Sequence, residues 1–253
     1  MSSDLKALLF SETNEAGSRA GGVYRRGTDG SPAVRLSDGT ALAFSEDGRW
    51  ALVRELGTPA RHTLVPTGAG EPVPLDFGSD RLLSAVFLPG PEPRLLATVG
   101  ESPDRGHVEL VTPAGRRPLP ISPGFTPGDV AVSPEGSAIA YGAAYGAGAR
   151  EVALCQLEKP SCRKLPLAAE ATPIQWSADG KYLYLRDYGE IPAHVTRYEI
   201  ATGALTNWLT LGPDDPTSIF VVGRILLSRD GRSYAFNPLG VQDSSLFVVE
   251  GLH

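Results

Sequence analysis

The sequence predicts an all-β fold, a six-bladed β-propeller of mostly four-stranded blades. Three observations predict it. A strand–turn–strand unit built on Ser-x-Asp-Gly recurs along all 253 residues. Its spacing stays near 40–45 residues, the length of a four-stranded repeat. Gly (29) and Pro (22) are spread throughout rather than gathered in one linker, as many short turns require. Long helical patterns are missing: the best short candidate, Leu167 to Ala171, is trapped between Pro166 and Pro173.

The unit is clearest at Ile174–Leu185, where Ser177-Ala178-Asp179-Gly180 separates two apolar runs. Asp-Gly suits a hairpin because Gly accepts positive φ and Asp bonds its own backbone. The Ser adds a side-chain bond that holds the turn. Related turns stand at Ser45-Glu46-Asp47-Gly48, Ser133-Pro134-Glu135-Gly136 and Ser228-Arg229-Asp230-Gly231. A stretched version reads Pro89-Gly90-Pro91-Glu92, and a worn one reads Ser3-Asp4-Leu5-Lys6 with Leu5 in the Gly position. The anchors Leu5, Gly48, Gly90, Gly136, Gly180 and Gly231 lie 43, 42, 46, 44 and 51 residues apart.

Six anchors imply six repeats, at about 1–37, 38–78, 79–123, 124–169, 170–214 and 215–253. Four of them look complete. The first begins with Lys6–Phe10 and lacks its innermost strand; the last ends with Ser245–Val249 and lacks its outermost, so 22 strands are expected. In stacked blades the central strands are covered on both sides and read almost continuously apolar, as Leu95-Leu96-Ala97 and Tyr182-Leu183-Tyr184-Leu185 do.

Composition narrows the function classes. Net charge is −6 with cations and anions interleaved, so the basic cluster needed for sequence-independent nucleic-acid binding is missing. No apolar run approaches the 18–20 residues or so of a membrane-spanning helix. Met1–Lys6 is not a secretory signal, which expects the cytoplasm for the chain as written, or the periplasm for a piece of a longer protein. Cys155 and Cys162 flank one hairpin turn. A cross-strand disulfide is feasible there, but two reduced thiols are expected in a cytosolic setting.

Catalytic and metal-binding signals are weak. Ser45-Glu46-Asp47-Gly48-Arg49-Trp50 superficially matches a sialidase Asp box, but that box needs one residue between Asp and Gly. A serine-hydrolase elbow, Gly-x-Ser-x-Gly, is missing; Gly231-Arg232-Ser233 runs on into Tyr234-Ala235. Nothing nominates a glycosidase carboxylate pair. His62, His107 and His194 each open the third strand of a different repeat, point apart around a ring and cannot meet on one ion; His253 is terminal. Asp214-Asp215 fits a polar loop better than a cation site, and Gly142 to Gly148 lacks the Lys-Ser/Thr of a phosphate loop. Neither a metal nor a cofactor is expected.

Binding is expected on the loops that join second to third strands and one repeat to the next, at the end opposite the Asp-Gly turns. Those loops carry Arg61, Asp104, Arg105, Tyr145, Arg150, Tyr188 and Glu190. Tyr and Arg are favoured interface anchors, and loops on rigid scaffolds commonly carry function.

Trp176-Ser177-Ala178-Asp179-Gly180-Lys181, Val132-Ser133-Pro134-Glu135-Gly136 and Phe44-Ser45-Glu46-Asp47-Gly48-Arg49 resemble the TolB-type, WD-repeat-like propeller repeat of bacteria, over essentially the whole chain. The resemblance implies a monomeric, non-catalytic platform for a protein or peptide partner. It also implies membership of a longer signalling protein, where such propellers follow serine/threonine kinases or winged-helix regulators. A peptidase-gating or lactonase- or sialidase-like hydrolytic propeller is the alternative.

Overall fold

The computed structural model describes residues 1–12, 21–58, 60–102, 105–121, 130–145, 149–159, 161–167, 171–187, 191–212 and 219–240. Among them are 21 strands, no α-helix, and six antiparallel sheets in which each strand pairs with its chain neighbours. The first sheet is β1 (Ala7–Glu12), β2 (Gly22–Gly27) and β3 (Val34–Asp38). The second is β4 (Thr40–Phe44), β5 (Trp50–Glu55), β6 (Arg61–Pro66) and β7 (Val73–Leu75). The third is β8 (Leu82–Leu88), β9 (Arg94–Gly100), β10 (Gly106–Thr112) and β11 (Gly115–Leu119). The fourth is β12 (Val130–Val132), β13 (Ala138–Tyr145), β14 (Ala149–Gln156) and β15 (Ser161–Lys164). The fifth is β16 (Ala171–Trp176), β17 (Tyr182–Asp187), β18 (Ala193–Glu199) and β19 (Leu205–Leu211). The sixth is β20 (Ile219–Leu227) and β21 (Tyr234–Gly240). The expected last strand, Ser245–Val249, and Asp214-Asp215 lie outside the described residues.

The recurring turn has one geometry. In each of the turns beginning at Ser2, Ser45, Ser177 and Ser228, the Ser Oγ donates to the Asp Oδ1 two residues on, at 2.5–2.6 Å. The same Oγ accepts the backbone N–H five residues on, at 2.9–3.0 Å. The fourth residue bonds back to the Ser carbonyl. Only this fourth residue has positive φ: 69° at Gly48, 68° at Gly136 and Gly180, 69° at Gly231. The hairpin is therefore a type I turn closed by a left-handed residue, not the two-residue mirror turn that Asp-Gly alone suggests. Leu5 takes φ 58°, which makes Ser2–Leu5 the same turn without its glycine. The Pro89–Glu92 turn departs from the pattern, with Gly90 at φ 146°.

Five apolar cores lie between successive sheets. Val23 packs on Ala51, Val53 and Val65; Leu52 and Leu64 on Phe87, Leu95 and Val99; Leu96 and Val108 on Ile139 and Tyr141; Leu154 and Leu165 on Trp176 and Leu183; and Tyr184 and Val195 on Ile225 and Leu227. Adjacent residues of one strand serve opposite cores: Leu95 faces back to the second sheet and Leu96 forward to the fourth. Each is fully buried, worth about 2–3 kcal/mol of transfer free energy. This two-sided burial is why the second strands carry unbroken apolar runs. Indole N–H groups also tie sheets together, Trp176 to the Ala131 carbonyl at 3.1 Å and Trp208 to the Gly231 carbonyl at 3.0 Å.

Two features draw the sheets around a common space. A cavity of about 240 Å³ is lined by Leu9, Ala41–Phe44, Ser84–Phe87, Val130, Arg224 and Leu226, from strands β1, β4, β8, β12 and β20. At the turn end, Arg229 of the last sheet pairs with Glu46 of the second, while its carbonyl accepts the Ala178 N–H of the fifth at 3.0 Å.

Cys155 and Cys162 are opposite partners on β14 and β15 and form a disulfide, with Cα atoms 4.1 Å apart. This replaces the expectation of two reduced thiols. Direct pairing across the strands brings the two side chains together, and β15, exposed along its length, is pinned by it.

Candidate functional site

Connectivity places the loops entering β6, β8 and β10 at the end of the sheets opposite the Ser-x-Asp-Gly turns. The largest described groove lies on that end, between the second and third sheets. It has a volume of about 700 Å³ and is lined by Glu55, Arg61, His62, Thr63 and residues 74–82.

Phe77 is the keystone. The loop from β7 to β8 turns around it: the Gly78 N–H bonds Asp76 Oδ1 at 2.7 Å, the Asp80 N–H bonds the Phe77 carbonyl at 3.0 Å, and Gly78 takes φ 59°. That drives the Phe77 ring inward, where it is buried against the core of the second and third sheets. His62 meets the ring edge-on at 5.3 Å, and the Arg116 guanidinium lies over it at 5.4 Å. Burial, with a smaller contribution from the charge of Arg54, holds the His62 imidazole below its ordinary pKa.

Arg116 joins a polar cluster beside the groove. Its Nη1 is 3.2 Å from Glu109 Oε2 and 3.5 Å from Asp80 Oδ2. His107 Nε2 is 3.0 Å from Glu109 Oε1. The register explains the assembly. His107, Glu109 and Val111 alternate onto one face of β10, and Arg116 sits opposite Val111 on β11. Glu109 is 7 % exposed, so its carboxylate requires the Arg116 charge.

Asp80, His107 and Glu109 together offer three ligand atoms within 4.8 Å of one another, enough to hold a cation. The sequence reasoning set the histidines only against one another and missed this grouping, because Asp80 arrives from a different sheet's connection. Arg116 already supplies a positive charge to two of the three, so a metal ion has to displace it.

Of the residues expected on this face, Arg61 is exposed and lines the groove. Arg105 is exposed and faces Glu101 at 3.6 Å, a contact that solvent screens. Tyr145 and Arg150 fall on neighbouring rungs at one end of the β13–β14 hairpin. Asp104, Tyr188 and Glu190 lie outside the described residues. Arg61 and Arg105 are not joined to each other by a hydrogen bond or ion pair. Glu55, Phe77, Asp80, Glu109 and Arg116 were not anticipated. The available signal was His107-x-Glu109, two polar residues on one face of a strand otherwise buried.

No family model matches the chain, and no curated protein does. Solved structures do match. TolB from Acinetobacter baumannii superposes with a TM-score of 0.62 and 18% identity over 94% of this chain and 65% of its own. Oligogalacturonate lyase from Vibrio parahaemolyticus gives 0.60 at 12% identity, over 93% of this chain and 72% of its own. A nidogen/laminin complex gives 0.53 at 16% identity, over 83% and 76%. The chain thus spans about two thirds of the length of TolB. At these identities the likeness shows the fold alone: the chain folds as a β-propeller like that of TolB and of the lyase.

Proposed function

We propose that this chain is a six-bladed propeller whose loop-bearing end binds a protein or peptide partner, without catalysis, as a module of a larger bacterial signalling or regulatory protein. The six sheets in chain order, the cavity shared by five of them and the Arg229–Glu46 tie from last sheet to second support six blades about one axis. The observation that carries the binding reading is the Phe77 groove. It is rigidly backed, sits on the end where Arg61 and Arg105 are exposed, and offers an aromatic floor with cations and carboxylates at its rim. Kinase and winged-helix partners draw no support from the structural matches and rest on the repeat resemblance alone.

The catalytic alternative has one observation in its favour, the approach of Asp80, His107 and Glu109 to within 4.8 Å. One experiment separates the two readings. A photo-crosslinking residue at position 61 or 105 captures a defined partner in cells, and one at position 181, at the opposite end, does not. With the purified partner, Arg61→Ala weakens binding about tenfold. Capture that ignores the choice of end refutes the platform reading. So does turnover of a lactone, a sialoside, an oligogalacturonide or a peptide that is lost in Glu109→Gln.

A further inference from the structure

At the turn end of the molecule, successive sheets clasp each other through the residue that follows the turn's Ser. The Ser3 N–H of the first sheet's turn donates to the Glu46 carbonyl of the second at 2.7 Å, and the Ala178 N–H of the fifth donates to the Arg229 carbonyl of the sixth at 3.0 Å. Between the second and third sheets that clasp is not formed among the described residues. The third sheet's turn is the divergent Pro89–Glu92, with Gly90 at φ 146°, and a pocket of about 260 Å³ lies beside it.

Trp50, Phe87, Pro89 and Pro93 form its walls. Trp50 opens β5 as Tyr182 opens β17: each backbone N–H bonds the Oγ of its turn's Ser at 2.9 Å. Over the Tyr182 ring lies a guanidinium of the same molecule, that of Arg197, at 4.3 Å. Arg197 stands opposite Tyr184 on β18; the corresponding residue of the second sheet, opposite Leu52 on β6, is Leu64, buried in the apolar core. Among the described residues no guanidinium lies over the Trp50 ring. The indole N–H groups of Trp176 and Trp208 are bonded to carbonyls, whereas that of Trp50 has no acceptor among the described residues.

Three carboxylates and one cation border the pocket: Glu46, Asp47, Glu92 and Arg229. Arg229 is paired with Glu46. Asp47 belongs to its own turn. Its Oδ1 accepts from the Ser45 hydroxyl and the Arg49 N–H, and its Oδ2 is 4.0 Å from an Arg49 Nε that solvent screens. Glu92 is exposed and has no ion-pair partner among the described residues. The nearby Arg94 turns the other way. It donates to the Pro89 carbonyl at 2.6 Å, stands 3.6 Å from where a Cβ on Gly136 would be, and is not in the pocket's lining. An uncovered indole therefore stands beside carboxylate charge that the pocket's own cation does not balance.

We propose that this pocket takes an arginine side chain of a partner protein, its guanidinium against Trp50 and paired with Glu92, its methylenes against Pro89 and Pro93. Arginine fits better than lysine because a planar guanidinium stacks on an indole and forks onto a carboxylate at once. The Arg197–Tyr182 contact shows the molecule making the stacking half of that arrangement within itself. The proposal does not rest on the reading of the loop-bearing end, and Lys181, the control position in that experiment, is not among the residues lining this pocket.

The probe is the peptide acetyl-Gly-Ser-Arg-Ser-Gly-amide, titrated into the full chain while the indole N–H signals of its three tryptophans are followed by NMR. The Trp50 signal should move saturably, with a Kd of about 1 mM, while Trp176 and Trp208, whose N–H groups are bonded internally, stay in place. The citrulline peptide keeps the shape without the charge and should bind about tenfold more weakly. Glu92→Gln should weaken the arginine peptide about threefold and leave Tm unchanged, since Glu92 is exposed. A Trp50 signal that does not move at about 20 mM peptide overturns the proposal. So does equal binding of the citrulline peptide, or an affinity that Glu92→Gln leaves unchanged. Equal binding of the lysine peptide overturns the assignment of a guanidinium.

Discussion

Arg116→Ala tests whether the cluster beside the Phe77 groove is held by the geometry described. The guanidinium stands 3.2 Å from Glu109 Oε2, and the two side chains are 27% and 7% exposed. Stranding a buried carboxylate costs about 3–5 kcal/mol. Here His107 remains 3.0 Å from the other Glu109 oxygen, and Arg116 is partly solvated, so the expectation falls to about 2–3 kcal/mol. For a chain of this length each kcal/mol moves Tm by about 2–4 °C, so a drop of about 5–10 °C is expected by calorimetry. Glu109→Gln in the same background should recover most of the loss, because the stranded charge is gone. A double-mutant cycle should then return a coupling of about 1.5–2 kcal/mol. A Tm within about 1 °C of the parent, or a coupling below about 0.5 kcal/mol, refutes the assignment of Arg116 as the counter-charge.

Other perturbations report on the remaining parts. Leu5→Gly should be neutral to stabilising by about 0.5–1 kcal/mol, since it relieves a left-handed leucine, while Gly180→Ala in the equivalent turn should cost about 1 kcal/mol with ordinary contacts around the new Cβ. Gly231→Ala should cost more than Gly180→Ala, because its Cβ would stand 2.5 Å from the Tyr184 hydroxyl; equal losses in denaturant titration would assign the whole effect to φ. Reducing the Cys155–Cys162 disulfide should cost about 2–3 kcal/mol and speed amide exchange in β15 selectively; a uniform increase in exchange would argue against local release. His62 has a folded pKa below its unfolded value, so its contribution is present above about pH 6.5 and is lost as pH falls through the lowered folded value; His62→Phe should flatten that part of the stability–pH curve.

How much of this was legible in the sequence depends on whether the structural cause is local. The Ser-x-Asp-Gly turn is closed by bonds within six residues, so its recurrence could be counted, and even Leu5 could be placed at the Gly position from Ser3 and Asp4, although the serine that makes the bonds is Ser2. Two-sided burial also leaves a local mark, the unbroken apolar run of a second strand. The turn type was less legible, because Asp-Gly serves two hairpin geometries and only the φ values separate them. The disulfide was half-legible: hairpin placement made it feasible, and the exact opposition of the two cysteines across β14 and β15 decided it.

The candidate site was legible only as an end of the molecule. Arg61 and Arg105 stand out because loops expose them, and exposure follows from connectivity. Phe77, Asp80, Glu109 and Arg116 meet because a connection leaving the second sheet folds over the outer strands of the third. Nothing in a repeat count encodes that meeting, since repeats preserve what is common to all sheets and the groove depends on what is particular to one junction. Function on such a scaffold is therefore best sought where one junction departs from its siblings, as the Phe77 groove does between the second and third sheets.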